Sequence, residues 1–371
     1  MAQQHSLNSI CPYYTMFPLD FPWRALRHAR KHQIVVDPFC GRGTTLFAAR
    51  ARCLVSHGID TSPVAVAISR SKLTTATAES VLAVYDTLMK TSPSATIPQG
   101  PFWEYAYHAE TLATLCSLRT ALLSTASDPY EPAEITLLRG LALGALHGPL
   151  NKGVCPSSYF SNQMMRTFAL KPDYAVRYWN AQNLFPPFSD VRDVIARRAE
   201  RLLKAVPPMV APAHVAHSDA RSPASYEALP GAIDWVVTSP PYLGMVMYEV
   251  DQWLRLWFIG GPEHPVYSNA NQLRHHDAET FSRDLATVWD CIAEYASPTI
   301  KIIIRFGAIG SRRTDYVALI KESLQQSQAS WRLTTARSAG DAAKGRRQSV
   351  SMGNRGQSAT IEERDFYVCL A

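Results

Sequence analysis

Apolar positions along this chain follow two rhythms, and the changes between them mark its elements. Ile34-Val35-Val36 is a short β-branched run that stops at Asp37. After Pro38-Phe39-Cys40-Gly41-Arg42-Gly43-Thr44-Thr45, the stretch Leu46-Phe47-Ala48-Ala49-Arg50-Ala51-Arg52 takes a helical pattern. The order is strand, glycine turn, helix, the opening of an α/β unit. A second strand is predicted from Leu54 to Ile59, ending at Asp60, and Ser62-Pro63 starts another helix with proline suited to its first turn. Strand, helix and strand at this spacing predict a parallel sheet.

From about Glu79 to Lys204 the alternation stops. Helical periodicity covers Glu110–Leu123, Glu131–Leu146 and Asp190–Ala205, with irregular segments such as Leu150-Asn151-Lys152-Gly153 between them. Strand patterns return at His214–His217, which leads into Ser218-Asp219, and at Ile233–Val237, which leads into Thr238-Ser239-Pro240-Pro241-Tyr242. Thr299–Phe306, Trp331–Ala336 and Phe366–Leu370 follow, with helices at Ala278–Ala296 and Tyr316–Ser327. No crossover helix separates the last two strands, which predicts an antiparallel end. The expected fold is α/β: a seven-stranded, mostly parallel sheet with an antiparallel last strand and a large helical insertion. Residues 1–78 and 206–371 would form the sheet domain, and 79–205 the insertion.

Composition narrows the class. A hydrophobic fraction of 47% and a charged fraction of 18% are those of a globular protein. No apolar run approaches the roughly 20 residues of a membrane span. The N-terminal residues lack a basic region followed by an apolar stretch, so a cytoplasmic location is expected. Seven cysteines, odd in number and scattered, form no CxxC pair, so neither a disulfide framework nor a metal is expected. His275-His276-Asp277 lacks a third ligand at a useful spacing and reads as a polar loop. The net charge of +6 is a weak pointer to a polyanion.

The chemistry gathers at strand ends, where open α/β sheets bind ligands. Gly41 and Gly43 allow a tight turn and close approach of backbone to a ligand, although such a pair alone also describes a plain turn. Asp60, ending the next strand, is placed to accept hydrogen bonds from ribose hydroxyls. Leu46 stands where a third glycine would complete a dinucleotide fingerprint, which disfavours a pyrophosphate ligand. A cofactor with an amino-acid tail and a nucleoside fits better. In Thr238-Ser239-Pro240-Pro241-Tyr242, two prolines stiffen the chain and leave carbonyls facing outward. Ser239 Oγ and the Pro240 carbonyl suit an amino group, and Tyr242 suits a flat ring. Accepting those protons keeps the nitrogen lone pair free for attack on a sulfonium methyl. A rigid strand-to-loop turn is the structural alternative.

Together, Asp37–Thr45 (DPFCGRGTT) and Thr238–Tyr242 (TSPPY) resemble the cofactor and catalytic signatures of DNA methyltransferases that modify exocyclic amino groups. The resemblance implies a class I methyltransferase fold, S-adenosyl-L-methionine as cofactor, and double-stranded DNA from which the target base is flipped. Asp37, Phe39, Gly41, Gly43 and Thr44 would line the methionine and ribose of the cofactor. Asp60 would hold the ribose hydroxyls and Asp219 the adenine amino group. Ser239, Pro240, Pro241 and Tyr242 would form the catalytic loop. Pro12–Pro18, with Tyr14 and Thr15, resembles the segment that packs over the cofactor; an aromatic packing arm is the alternative. The serine form of the motif leans towards cytosine N4 over adenine N6, within a restriction-modification or solitary defence system. RNA amino-methylation and a non-catalytic DNA-binding subunit are the other readings.

For DNA contact, Asn162, Gln163, Arg166 and Lys171 combine amides and cations able to meet base edges and phosphates. Arg192, Arg197, Arg198, Arg201 and Lys204 follow on a helix, where a solvated face is the competing reading. Lys344, Arg346 and Arg347 open a basic Gly/Ser/Gln-rich stretch, either a phosphate clamp or an unstructured loop.

Overall fold

In a computed structural model, residues 6–13, 17–91, 95–125, 131–149, 157–163, 171–243, 252–266, 277–307, 315–341 and 362–371 are described. The strands are β1 (Ile34–Asp37), β2 (Val55–Asp60), β3 (Ala213–His217), β4 (Ile233–Thr238), β5 (Ala296–Gly307), β6 (Trp331–Asp341) and β7 (Glu362–Leu370). They build one seven-stranded sheet in the order β3-β2-β1-β4-β5-β7-β6. From β3 to β5 all neighbours are parallel. Strand β7 runs antiparallel to both β5 and β6, so the last strand inserts between its two predecessors instead of lying at the edge. This is the class I methyltransferase arrangement that the motifs imply. The chain leaves β1 in one direction for β2 and β3, then returns to β4 on the other side of β1, making β1/β4 the switch point.

Successive side chains of a strand face opposite sides, and the core divides accordingly. Val35, Trp235, Val237 and Ile303 pack with Phe21, Leu26, Ala48 and Ala49 on one face. Ile34, Val36, Val236, Ile302, Ile304 and Phe306 pack with Phe281, Leu285, Trp289, Leu319 and Leu324 on the other. The first face is covered by α1 (Asp20–Ala25) and α2 (Thr44–Ala51), and α3 (Pro63–Ser71) follows β2.

By compactness the chain divides into a sheet unit (Tyr13–Ser69, Pro208–Val246, Asn269–Ala371) and a helical unit (Met1–Pro12, Arg70–Pro207, Met247–Ser268). The helical unit therefore draws on two segments outside the expected 79–205. It contains α4 (Ala78–Thr91), α5 (Pro101–Ala106), α6 (Ala109–Ser124), α7 (Ala133–Ala145), α8 (Pro172–Ala181), α9 (Val191–Leu203) and α10 (Trp253–Phe258). Its core is aromatic: Trp103 meets Trp257 at 4.6 Å and Phe102 meets Trp253 at 4.8 Å between ring centres. Ile10 crosses α7 so closely that a Cβ on Gly144 would lie 1.9 Å from its carbonyl oxygen. The same carbonyl accepts a 2.7 Å hydrogen bond from buried Arg198.

The sheet unit also holds α11 (Ala278–Glu294) and α12 (Tyr316–Gln326). Asp277 caps α11 by accepting from Thr280 N (2.7 Å), and Asp315 caps α12 by accepting from Val317 N and Ala318 N (both 3.0 Å). Asp277 thus ends the expected polar loop as a helix cap, while His275 and His276 lie outside the described residues. Among the described residues no helix is long and apolar enough to cross a membrane, and none group into a metal site.

Candidate cofactor and catalytic site at the strand ends

The two sequence motifs meet at the switch point. Asp37 closes β1 and Thr238 closes β4, and Thr238 Oγ1 donates to Asp37 Oδ1 at 2.6 Å across 201 positions of chain. Phe39 N donates to the same oxygen at 3.2 Å. A second tie runs from Thr45 Oγ1, in the first turn of α2, to the Val237 carbonyl at 3.0 Å. Asp37 is completely buried, and its Oδ2 accepts no hydrogen bond. Burial pushes its carboxyl up to about 6, against the pull of the Thr238 hydroxyl.

The glycine turn is held from beneath. Gly41 N and Ser62 N donate to the two oxygens of Asp60, each at 2.8 Å, and Ser69 Oγ donates to the Gly41 carbonyl at 2.8 Å. Burial raises the Asp60 carboxyl, and these two N–H groups offset part of that. Gly41 and Gly43 have φ of 50° and 71°, the left-handed region where a side chain is strained. Gly43 is hemmed in as well, since a Cβ there would sit 2.6 Å from Ser69 Oγ. The Tyr13 ring lies 3.8 Å from the position of a Cβ on Gly41, so the aromatic arm reaches the turn. Tyr14 and Thr15 lie outside the described residues. Phe39 is half-buried against the core and Thr44 is buried in the first turn of α2.

At the end of β3 the geometry differs. Asp219 is claimed by its own neighbour: Arg221 approaches both carboxylate oxygens, at 3.1 and 2.6 Å, and its N–H donates at 2.9 Å. Arg221 reaches Asp284 as well, at 2.9 Å. Burial raises the Asp219 carboxyl, but the Arg221 contacts outweigh it and leave the group below its usual range.

The catalytic loop follows β4 directly. Ser239 and Pro241 are half-buried and Pro240 is buried. Tyr242 is fixed twice: its hydroxyl donates to Glu363 Oε1 at 2.8 Å, and its ring meets Phe306 edge to face at 5.3 Å.

The structure thus joins Asp37, the glycine turn, Asp60 and the Ser239–Tyr242 loop, with Asp219 at a neighbouring strand end. Sequence reasoning missed Ser69 and Glu363 and gave no role to Thr45 or Thr238. A polar β-branched residue closing an apolar strand was a usable signal for Thr238; a serine within α3 offered none. Of the expected DNA contacts, Asn162 is half-buried and donates to Ser157 Oγ at 2.5 Å. Gln163 is buried instead of surface-presented, and its carbonyl accepts from Trp179 Nε1 at 2.6 Å. Lys171 is exposed beside α8, while Arg166, Lys344, Arg346 and Arg347 lie outside the described residues.

No family model and no curated protein matches the chain. Among solved structures, the rRNA methyltransferase aviRa of Streptomyces viridochromogenes is 13% identical, with a TM-score of 0.34, over 98% of this chain and 89% of that one. TrmN of Thermus thermophilus is 10% identical, with a TM-score of 0.35, over 98% of this chain and 52% of that one. A SAM-dependent methyltransferase of Agrobacterium tumefaciens is 11% identical, with a TM-score of 0.35, over 96% of this chain and 63% of that one. The fold assignment rests on the strand order β3-β2-β1-β4-β5-β7-β6 with its antiparallel β7.

Proposed function

We propose that the chain transfers a methyl group from S-adenosylmethionine to the exocyclic amino group of a nucleic-acid base, with cytosine N4 in DNA as the target. The Thr238–Asp37 hydrogen bond carries this reading, because it locks the cofactor motif and the catalytic motif into one site. The residues fit the cofactor. A buried carboxylate oxygen without a partner suits a ligand with cationic groups, and Gly41 and Gly43 keep the turn clear of side chains. Each Asp60 oxygen has lone-pair capacity beyond its backbone N–H, enough for ribose hydroxyls. When bound, the cofactor supplies an electrophilic methyl on a positively charged sulfur.

The chain's own groups then have separable tasks. Ser239 Oγ and the Pro240 carbonyl accept the amino protons of the base and orient its nitrogen lone pair. Tyr242, held by Glu363 and Phe306, is a fixed wall for the base ring. Asp37 balances the positive charge of the cofactor.

The test is transfer of labelled methyl to double-stranded DNA, followed by digestion and identification of the base. N4-methylcytosine is the expected product. N6-methyladenine would move the target to adenine, and transfer confined to RNA would overturn the DNA assignment. Failure to bind S-adenosylmethionine in calorimetry would overturn the catalytic reading altogether.

A further inference from the structure

A concave surface that includes no residue of the glycine turn lies within the sheet unit. It is a cavity of about 630 Å³ walled by α1, the turn after it, and β4 to β7. Its character is basic. Arg24, Arg27, Lys301, Arg305 and Arg337 line it, against a single carboxylate, Asp365. That carboxylate is consumed by Arg305, whose Nε and Nη2 donate to its oxygens at 2.7 and 2.8 Å. Arg24 also meets Asp20 at 3.4 Å, but both side chains are more than 60% exposed, so solvent screens most of that attraction.

Three of these cations lie over aromatic rings. Arg305 sits 3.9 Å above Phe21, Lys301 4.8 Å from Trp235 and Arg337 5.3 Å from Tyr367. Stacking fixes where each charge stands and leaves N–H groups at its edge for an anion. It does not remove the mutual repulsion of like charges gathered in one hollow. Packing alone would be served as well by apolar side chains, so the arrangement calls for a negatively charged occupant.

Spacing says what kind. Arg305 pairs with Asp365 across β5/β7, and Asp365 with Arg337 across β7/β6, so the two arginines stand two strands apart, about 10 Å. Lys301 and Arg305 are four residues apart on β5, about 13 Å. With Arg305 spent on Asp365, the charges of Arg24, Arg27, Lys301 and Arg337 are left spread along this surface, more than a single phosphate would neutralise. The groove's Arg305 end lies near the carboxyl end of β5, where the preceding Ile304 pairs with Thr238, the residue before the catalytic loop. Arg305 immediately precedes Phe306, whose ring holds Tyr242 from the opposite face.

We infer that this groove binds the sugar–phosphate backbone of the nucleic acid whose base the Ser239–Tyr242 loop receives; the inference rests on the proposed function. The cations position the strand and do not read its sequence.

The test uses the full chain and its triple variant Arg24→Gln/Lys301→Gln/Arg337→Gln, none of which belongs to the cofactor or catalytic site. Binding of a labelled 20-base-pair DNA duplex and of a single-stranded RNA of the same sequence is followed across a salt series. The triple variant should bind at least about tenfold more weakly at low salt. The slope of log affinity against log salt should fall by about 2–3, close to 0.9 per lost phosphate contact on duplex DNA. Cofactor affinity and melting temperature should stay at wild-type values. The single variant Arg24→Gln, at a fully surface position, should lower the slope by about 1 and covers the case in which the triple variant folds poorly. An unchanged slope in folded variants, with the wild type binding normally, overturns the groove and leaves the proposed function standing. A wild-type chain that binds neither nucleic acid overturns both. Whichever polymer responds identifies the source of the phosphates.

Discussion

Of the three strand ends whose carboxylates are expected to serve the cofactor, those of β1 and β3 are built in opposite ways. At the β1/β4 seam, Asp37 is completely buried and keeps one oxygen without a partner. At the end of β3, Asp219 is partly exposed and saturated by Arg221. The first end holds a buried oxygen without a hydrogen bond, which costs folding free energy. The second has its charge already balanced, so a ligand there must compete with a guanidinium. Preorganisation is therefore concentrated at the seam, and the end of β3 is the adjustable part.

The largest effect that could break this comparison concerns the loop leaving the seam. Ser239→Ala and Tyr242→Ala should each lower turnover by about 100-fold or more, with cofactor affinity within about threefold of wild type. Steady-state kinetics and calorimetry on each variant check this. Joint loss of turnover and cofactor affinity would mean that the loop and the cofactor motif do not divide the work.

Next is Asp37 itself. Its carboxyl is raised from 3.8 to about 6, so ionising it opposes folding. The cost is absent below about pH 4, grows as pH rises to 6, and is complete above it. Asp37→Asn should accordingly be more stable than wild type above pH 6, by roughly 1–3 kcal/mol, with the two converging below about pH 4. Chemical denaturation across pH measures the difference. The same variant should bind the cationic cofactor more weakly at pH 8. Wild-type affinity should fall about tenfold between pH 7 and pH 5, and that pH dependence should vanish in the variant.

A smaller loss is expected from Gly43→Ala, about 2 kcal/mol, from the positive φ and the contact with Ser69. Gly231→Ala, at an exposed position whose nearest neighbour is a flexible Ile34 methyl at 3.4 Å, is the control and should change little. The smallest effect belongs to β3. Arg221→Gln frees Asp219 and should tighten cofactor binding by no more than about fivefold, because the released pair is partly solvated. Weaker binding would show that Arg221, and not Asp219, faces the ligand.

How much of this was legible in the sequence depended on distance along the chain. All seven strands were located from local apolar runs, strongest in β1 and β5, although β6 and β7 extend beyond the predicted Trp331–Ala336 and Phe366–Leu370; both motifs were marked by their glycines and prolines. Within the helical region, α5 is too short for a periodic signal, and α8 begins at Pro172 without a long apolar face. The basic groove was invisible because Arg24, Lys301 and Arg337 are scattered through the chain and form no run. The run that did attract attention, on α9, is largely spent within its own unit. Arg192 pairs with Asp86 at 2.7 Å, Arg197 with Asp193 at 3.1 Å, and Arg198 is buried against Ile10. Charge density along a sequence and charge density on a surface are different quantities, and only the second attracts a polyanion.

The seam also sets a timetable. Thr238 and Asp37 are separated by 201 residues, most of them belonging to the helical unit. At about 5–20 residues per second, a ribosome delivers Thr238 some 10–40 s after Asp37. Until then β1 has β2 on one side and nothing on the other, an open edge of the kind that invites wrong pairings. The nascent chain must therefore shelter Val35 and Val36 through more than half of its own synthesis, and a ribosome stalled before Ile233 would leave β1 open along one edge.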